Sequence, residues 1–206
     1  MITDEQLALR LQRGDRGALN GLVERHYDPL LGYLYRMVGG DRALAEDLAQ
    51  ETFLRALRSI AQYRRDLRFK PWLYAIATNL ARNHYNRADT RYTQSDADGE
   101  PDAPSEIERA RFDMDALDAD LLALDEVRQV LAALAALPVH QREVVALYYY
   151  QSLSLQEIAD ALHIPLGTVK SRLSLAVRRL REMMKEMDTY EPQSQRTPPG
   201  GRLEAP

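Results

Sequence analysis

Apolar residues recur at three- and four-residue steps along most of the chain, the pattern typical of amphipathic α-helices. In the first part it predicts helices at residues 5–12, 19–38 and 41–60. Gly39 and Gly40 predict the end of the second helix, and Asp41 predicts the N-cap of the third. A fourth helix is predicted to begin near Phe69, because Pro71 is tolerated only in a first turn. The buried face of the third helix is predicted to hold Leu44, Leu48, Phe53, Ala56, Leu57 and Ile60.

The same periodicity returns near the other end of the chain. Residues 127–137 and 144–150 predict two packing helices, separated by Pro138. Ser154 and Glu157 fit a capping box that opens a short helix. Residues 163–166 interrupt it, and a second helix with basic residues outside its apolar stripe is predicted to begin near Gly167. This pattern favours a helix-turn-helix whose second helix can enter a major groove, with a plain helical hairpin as the alternative.

Charge divides the chain into segments of opposite sign. The formal net charge is -4 overall, but residues 1–87 carry +4, residues 88–126 carry -10 and residues 127–187 carry +3. Residues 88–104 are polar and acidic with almost no apolar residue, which is typical of a linker. We therefore expect an all-α protein with two small helical domains, at 1–87 and 121–187, joined by a flexible acidic linker at 88–120 and followed by a disordered tail at 188–206. The alternative is one continuous domain with an acidic surface loop.

Composition excludes several kinds of chemistry. The chain has no cysteine, so disulfides, thiolate metal sites and a nucleophilic thiol are impossible. The longest apolar run is about half of the 18 residues that a membrane span needs, and no signal segment is visible at the start. No phosphate-binding glycine loop, zinc-protease motif or nucleophile elbow occurs. We expect a cytoplasmic protein without membrane insertion that is not an enzyme, with no catalytic residue, metal, cofactor or small-molecule substrate.

The predicted fourth helix and the loop before it combine cations, amides and aromatic rings. Asparagine and arginine side chains lie outside the apolar stripe, and asparagine can both donate to and accept from a base edge. Aromatic rings interleaved with cations are typical of single-stranded nucleic-acid sites. The residues concerned are Tyr63, Arg64, Arg65, Arg68, Phe69, Lys70, Trp72, Tyr74, Asn79, Arg82 and Asn83. In the alternative interpretation, Phe69 and Trp72 belong to the core and the arginines form a solvated face.

These motifs resemble those of the bacterial RNA polymerase sigma factors, in the extracytoplasmic-function (ECF) group of the sigma-70 family. Residues 45–56, AEDLAQETFLRA, are similar to the family's polymerase-binding helix, and residues 69–79, FKPWLYAIATN, to its promoter-melting segment. Residues 137–144, LPVHQREV, and residues 167–173, GTVKSRL, are similar to its second domain. The resemblance implies a promoter-specificity subunit that binds core polymerase, recognises the minus-thirty-five and minus-ten elements and initiates transcription.

The resemblance also implies a role for particular residues. Those expected to bind the clamp of the largest polymerase subunit are Asp47, Gln50, Glu51 and Phe53. Those expected to contact the minus-ten element are Tyr63, Arg64, Arg65, Asp66, Arg68, Trp72, Asn79, Arg82 and Asn83. Those expected to contact the minus-thirty-five element are Thr168, Lys170, Ser171, Arg172, Ser174, Leu175 and Arg178. The expected partners are core polymerase, through its clamp and flap regions, promoter DNA and an anti-sigma factor.

Two residues depart from the family's commonest pattern. Arg65 stands where the family usually has glycine, which alters the backbone choices of the loop and the base that fits there. Leu175 stands where the recognition helix usually has a basic residue, and an aliphatic side chain can touch a thymine methyl but cannot form a bidentate contact to guanine.

Two other functions compete with the promoter-recognition interpretation. An autonomous helix-turn-helix regulator would bind duplex DNA without polymerase, but it has no need of the segments at 46–53 and 63–79. A purely structural helical scaffold would leave both basic helices unexplained.

Overall fold

The computed structural model describes residues 2–92 and 121–189. All of the regular structure in these two ranges is helical, and no strand occurs in them. The predicted linker, apart from the end of the helix that enters it, and the predicted tail from residue 190 onward lie outside the described residues. The expectation of an all-α protein with two helical domains is confirmed for the parts that the structure describes.

The first domain has four helices. They are α1 (Asp4–Gln12), α2 (Gly17–Met37), α3 (Arg42–Ser59), which leads into a 3₁₀ turn at Ile60–Gln62, and α4 (Phe69–Tyr92). Gly39 and Gly40 have positive φ angles of 67° and 91°, and the Gly40 amide donates to the Tyr35 carbonyl, so they end α2 as predicted. The Asp41 side chain accepts from the Leu44 amide at 3.0 Å and caps α3.

The second domain also has four helices in the described range. They are α5 (Leu121–Ala135), α6 (Val139–Val145), which continues into a π-helical turn at Ala146–Tyr150, α7 (Leu155–Leu162) and α8 (Leu166–Thr189). Ser154 and Glu157 form the predicted capping box at the start of α7. His163 ends α7 in the left-handed conformation with φ of 55°. Helices α7 and α8 therefore form the predicted helix-turn-helix.

Several details differ from the sequence-based expectation. Helix α5 begins at Leu121 and α6 at Val139, directly after Pro138, so both begin earlier than the predicted starts at residues 127 and 144. Helix α4 continues to Tyr92, so it enters the range predicted as linker, because the polar residues after Arg87 still permit helical backbone. Helix α8 begins at Leu166 rather than near Gly167. Pro165 lies just before its first turn, a position where proline does not break a helix. Leu57 is 39% exposed and was wrongly placed on the buried face of α3, because it lies one position beyond Ala56, which does face the core.

The two domains share one apolar core. One cluster of buried residues includes members of α1–α4 and members of α6, its π turn, α7 and α8. It contains the fully buried Leu73 of the first domain and the fully buried Ile158 of the second. Helix α4 packs against α7, and α2 packs against the π turn. A smaller cluster of Leu134, Leu137, Val145 and Ala176 joins α5 to α8. The described residues thus form a closed arrangement in which the helix-turn-helix lies on the first domain.

Arg142 connects this arrangement from inside the protein. It is 1% exposed, and its guanidinium donates to the carbonyls of Leu134 at 2.9 Å, Ala135 at 2.6 Å and Leu137 at 3.1 Å. They lie at the end of α5, where carbonyls lack a partner inside the helix, and the Leu134 carbonyl also accepts from the Leu137 amide at 3.1 Å. The same guanidinium donates to the Met37 carbonyl at 2.8 Å, at the end of α2 in the other domain. One side chain therefore caps two helices that belong to different domains.

We predict that Arg142→Met lowers the free energy of unfolding by about 2 kcal/mol or more. The buried carbonyls of Ala135 and Leu137 would lose this donor, and each such loss costs about 1–3 kcal/mol, whereas the carbonyls of Leu134 and Met37 keep the Leu137 amide and the Tyr85 hydroxyl. Urea unfolding followed by circular dichroism measures the change. Arg13→Met, a matched change at an exposed position after α1, should stay within about 0.5 kcal/mol of the unmodified chain. A loss below 1 kcal/mol for Arg142→Met would contradict the prediction.

Candidate nucleic-acid interface

Helix α3 carries an exposed polar ridge. Asp47 and Gln50 are exposed, and Glu51 is half-buried beside them. The Arg55 guanidinium donates to the Glu51 carboxylate at 2.7 Å, and this bond holds the pKa of Glu51 below its usual value. Phe53 is half-buried and stacks on Tyr27 of α2 with ring centroids 6.4 Å apart. The ridge is therefore acidic and amide-bearing, while Phe53 is held against the neighbouring helix.

Two exposed leucines extend this ridge and were missed from the sequence. Leu54 is 48% exposed, and Leu57 is 39% exposed one turn further along. Their spacing from Asp47 and Gln50, at steps of three and four residues, is the signal that could have found them. The ridge thus combines a carboxylate edge with an apolar edge, which suits a partner helix that carries basic and apolar side chains.

The loop at residues 63–68 is held from within and from α1. The Gln12 side chain donates to the carbonyls of Ile60, Ala61 and Tyr63 at 3.0–3.1 Å, and the Glu5 carboxylate accepts from the Phe69 amide at 3.3 Å. Neither Gln12 nor Glu5 was identified from the sequence, because their partners are about 50 to 60 residues away along the chain. Helix α1 therefore fixes the shape of the loop.

The charged residues of this loop face solvent. Arg64 donates to both carboxylate oxygens of Asp66, at 3.1 and 2.6 Å, and this pair lowers the pKa of Asp66. Arg65 and Arg68 are exposed. The guanidinium of Arg68 lies 3.2 Å from the Glu157 carboxylate in the second domain.

The aromatic residues next to the loop form a compact cluster. Tyr63 and Phe69 are buried, and their rings pack against Trp72 with centroids 5.1 and 5.7 Å from it. The Tyr63 hydroxyl donates to the Leu67 carbonyl at 2.6 Å, and burial raises the pKa of Tyr63 to about 12. Trp72 is half-buried and is the member of this cluster with an accessible edge. Tyr63 and Phe69 thus support the loop from below in this structure.

Helix α4 exposes the amides that the sequence singled out. Asn79 and Asn83 are both exposed, one turn apart. Arg82 lies between them in the sequence and is half-buried. Its guanidinium makes two hydrogen bonds to Glu143, at 2.8 and 2.5 Å. Burial works against the charge of Arg82, but the bonds to Glu143 outweigh it and raise the pKa of Arg82. The exposed amides and the basic loop therefore lie along α4 and the segment before it.

The second domain presents a separate polar and basic face on α8. Val169 and Ala176 are fully buried, and they turn the intervening positions outward. The exposed residues on that side are Lys170, Ser171, Ser174, Leu175 and Arg178. Thr168 and Arg172 are half-buried, and the Arg172 guanidinium lies 3.7 Å from the Glu143 carboxylate. All seven residues predicted on this helix fall within its first four turns.

The second domain also has an open apolar groove of about 300 Å³. Helices α5 and α8 and the π turn line it with Val130, Leu134, Tyr149, Tyr150, Val177 and Met184. The sequence does not predict this groove, because its walls come from three segments and the pattern around Tyr149 indicates only a packing helix. Tyr149 is 58% exposed there.

A network of polar contacts joins the two domains. The Gln151 side chain accepts from the Tyr74 hydroxyl at 2.5 Å and donates to the Pro29 carbonyl at 3.1 Å. The Lys70 ammonium donates to the Gln151 carbonyl at 2.6 Å, and burial lowers the pKa of Lys70. The guanidinium of Arg36 lies over the Tyr150 ring, 4.0 Å from its centroid. No feature of the sequence predicted these contacts.

Within residues 2–92 and 121–189, no group of three or more histidine, aspartate or glutamate side chains is placed to hold a metal ion. None of the helices described there is long and apolar enough to cross a membrane.

Comparison with known proteins gives two family matches. The model of sigma-70 region 2 matches residues 22–91, and the model of sigma-70 region 4 matches residues 127–180. The RNA polymerase sigma-H factor of Pseudomonas aeruginosa is 35% identical over 170 residues, which cover 82% of this chain and 88% of that protein. The ECF RNA polymerase sigma-E factor of Haemophilus influenzae is 33% identical over 183 residues, covering 89% and 94%.

Solved structures share the fold. The chain is similar to CnrH in its complex with the cytosolic domain of CnrY, with a TM-score of 0.66 and 24% identity over 89% of this chain and 97% of that one. It is also similar to the sigma factor RpoE in complex with the anti-sigma factor NepR from Bartonella quintana, with a TM-score of 0.61 and 24% identity over 81% and 96% of the two chains.

Proposed function

Because the chain belongs to the extracytoplasmic-function group of the sigma-70 family, it is a promoter-specificity subunit of bacterial RNA polymerase, and we propose how its surfaces divide that work. Its partners are core polymerase and promoter DNA, and it acts where they are, in the cytoplasm. It has no catalytic activity of its own. The observation that carries the division of work is that one chain exposes an acidic ridge and two separate helices with amide, hydroxyl and basic side chains at the surface.

The ridge on α3 docks on the clamp of the largest polymerase subunit. Asp47, Gln50 and Glu51 supply its polar edge, and an acidic, amide-bearing edge suits a basic helical partner. Leu54 adds an apolar contact beside them. Phe53 acts through Tyr27 by keeping α3 in place, since its ring is already packed within the domain.

The loop at 63–68 and α4 read the opened minus-ten element. Arg64, Arg65 and Arg68 lie at the surface to neutralise phosphates, and Asn79 and Asn83 present donors and acceptors to unpaired bases. Trp72 offers the accessible ring edge for stacking. Tyr63 and Asp66 shape the loop, Tyr63 through its bond to the Leu67 carbonyl and Asp66 through its pair with Arg64. Arg82 adds a further phosphate contact once its guanidinium is released from Glu143.

Helix α8 reads the minus-thirty-five element in the major groove. Lys170, Ser171, Ser174 and Arg178 are exposed on one side of its first turns, where the recognition helix of a helix-turn-helix meets base edges and phosphates. Leu175 lies among them and supplies an apolar contact suited to a thymine methyl. Thr168 and Arg172 lie at the inner edge of this face.

The apolar groove of the second domain is the second polymerase contact, at the flap. Its walls are almost entirely apolar, so a helix that inserts an apolar side chain would remove Tyr149 and Met184 from water. An anti-sigma factor, which the family resemblance implies, is a further proposed partner of these exposed surfaces.

We predict that the chain alone gives no promoter-specific transcript and that core polymerase gains one when the chain is added. Run-off transcription with and without the chain measures this. The physical reason is that each basic segment is small and the acidic residues between them oppose the same phosphates. Tight sequence-specific binding by the chain alone would contradict this prediction and would support an autonomous regulator.

Replacement of Gln50 by Ala together with Glu51→Lys should weaken binding to core polymerase at least tenfold, because it removes an amide and reverses a charge on the α3 ridge. Biolayer interferometry with immobilised core enzyme measures the affinity. The melting temperature should stay nearly unchanged, since exposed substitutions usually alter stability by about 0.5 kcal/mol or less. Glu24→Lys, the same charge reversal at an exposed position of α2, is the matched control and should bind normally.

The two DNA-reading helices should fail in different ways. Asn79→Ala should impair open-complex formation and relax preference at one minus-ten position by about 1–3 kcal/mol, and a premelted template should partly rescue it. Lys170→Ala should weaken binding at the upstream duplex, lower the salt slope by about one unit and gain little from premelting. Permanganate footprinting on matched duplex and bubble templates measures both. Lys185→Ala, a change at an exposed position about four turns further along α8 and outside the apolar groove, is the control, and equal rescue of both variants would contradict the assignment.

A further inference from the structure

The loop at residues 63–68 is held at its first end by one side chain of α1. The amide nitrogen of Gln12 lies 3.0–3.1 Å from three carbonyl oxygens, those of Ile60, Ala61 and Tyr63. A primary amide has only two hydrogens to donate, so the three carbonyls share them. The backbone that follows α3 therefore has to turn so that these carbonyls converge on a single nitrogen.

The other end of the loop is held by a second side chain of α1. The Glu5 carboxylate accepts from the Phe69 amide at 3.3 Å. Phe69 is the first residue of α4, where backbone amides have no acceptor inside the helix and a negative charge is favourable. Glu5 and Gln12 are seven residues apart, which places them on one face of α1 and roughly 10 Å apart along its axis. Helix α1 thus holds both ends of the loop.

Between these two ends the loop is closed on itself. The Tyr63 hydroxyl donates to the Leu67 carbonyl at 2.6 Å, and the Leu67 amide donates to the Arg64 carbonyl at 3.1 Å. Tyr63 therefore contacts α1 through its carbonyl and the far part of the loop through its side chain. A shift of the Tyr63 backbone would move Leu67, which is 40% exposed, together with the exposed Arg65.

Helix α1 has its own anchors in the first domain. Its apolar face is buried there through Leu7, Ala8 and Leu11. The Asp4 carboxylate accepts from the Arg25 guanidinium of α2 at 2.8 Å. Gln12 and Glu5 belong to neither anchor. Loss of either side chain should therefore loosen the loop and leave α1 in place.

The ion pairs of the loop are weaker supports. Arg64 pairs with Asp66 and Arg68 pairs with Glu157, and both arginines are largely exposed. Exposed ion pairs contribute little to stability, and salt screens them. A site that reads a base has to hold its groups within about 0.5 Å of the productive geometry. The contacts with α1 are better suited to supply that accuracy, because they fix the backbone at both ends.

We propose that Gln12 and Glu5 are positioning residues that set which base the loop at 63–68 accepts. The proposal rests on the function assigned above to that loop, the reading of the minus-ten element. Neither side chain has to touch DNA, because each acts on the backbone at one end of the loop. Base preference is then a joint property of α1 and the loop, and the loop sequence alone does not determine it.

The test compares Gln12→Met with Gln6→Met in the full chain. The first change keeps the length of the side chain and removes the donor to the loop. The second makes the same replacement on the same helix, where it breaks the capping box of Gln6 with Thr3 and weakens α1 without touching the loop. Gln12→Lys supplies a new donor that can reach the same carbonyls, and it tests for rescue.

Loop mobility is measured first, without DNA, by hydrogen exchange and mass spectrometry. Exchange over residues 63–69 should become at least about fivefold faster in Gln12→Met and in Glu5→Met, and stay near normal in Gln6→Met and Gln12→Lys. Exchange over residues 7–11 should not change in Gln12→Met. Equal acceleration of both segments would show that Gln12 only stabilises α1, and no acceleration would show that it does not hold the loop. Either result would overturn the proposal.

Base preference is measured next with the holoenzyme. The probes are promoter fragments that differ by one base at each minus-ten position, and the fraction of heparin-resistant open complexes is recorded. Gln12→Met should lower the ratio between the best and the second-best base at least fivefold at one position and change the other ratios less than twofold. Gln6→Met and Gln12→Lys should keep every ratio within twofold, because an added charge favours all fragments alike. A uniform change at all positions, or the same change in Gln6→Met, would overturn the proposal.

A variant of the loop itself separates failure of this proposal from failure of the loop's assignment. Arg65→Ala combined with Leu67→Ala should alter base preference at the position that Gln12→Met affects. If the loop variant alters preference and Gln12→Met does not, the loop reads the element without support from α1, and only the positioning role fails. If neither alters preference at any minus-ten position, the assignment of the loop to the minus-ten element fails as well.

Discussion

Two adjacent charged residues in the middle of α6, Arg142 and Glu143, hold the described structure together. Both are almost completely buried, a state that is costly for an ion unless every donor and acceptor finds a partner. Successive helical residues point about 100° apart, so the two side chains reach different neighbours. Arg142 satisfies the carbonyl ends of α5 and α2, whereas Glu143 holds arginines from α4 and α8. The relative positions of five helices thus depend on one dipeptide.

This arrangement gives the electrostatics of the chain a local character. The whole-chain charge of -4 conceals basic segments, and within the basic segments single carboxylates determine which arginines are available. Arg65 faces solvent, while Arg82 is bound to Glu143 only a few turns away along the chain. For nucleic-acid binding, the relevant quantity is the number of cations free to meet phosphates, and in the described arrangement Glu143 and Glu157 reduce that number.

The sequence predicted the helices and the exposure of several candidate residues well, because both depend on local patterns. Ser154 and Glu157 predicted the start of α7 from their spacing alone, and the apolar stripe of α4 left Asn79 outside it. It predicted neither Gln12 under the basic loop nor Gln151 between the domains, because these contacts join residues about 50 or more positions apart, and a lone glutamine carries no periodic signal. The sequence did not predict the burial of Tyr63 for a related reason. A tyrosine next to arginines gives the same sequence pattern whether its ring stacks on a base or supports a loop.

The shared use of Glu143 has a consequence for how such domains can be recombined. The ion pair of Glu143 with Arg172 lies within the second domain and is kept when that domain is moved to another chain. Its hydrogen bonds to Arg82 form only when the first domain also carries an arginine at that position. A chimera that joins this second domain to a first domain with an uncharged residue at position 82 would keep the helix-turn-helix intact but lose the lock between the domains. Exchange of domains between paralogues would therefore preserve the helix-turn-helix more readily than it preserves the packing of one domain on the other.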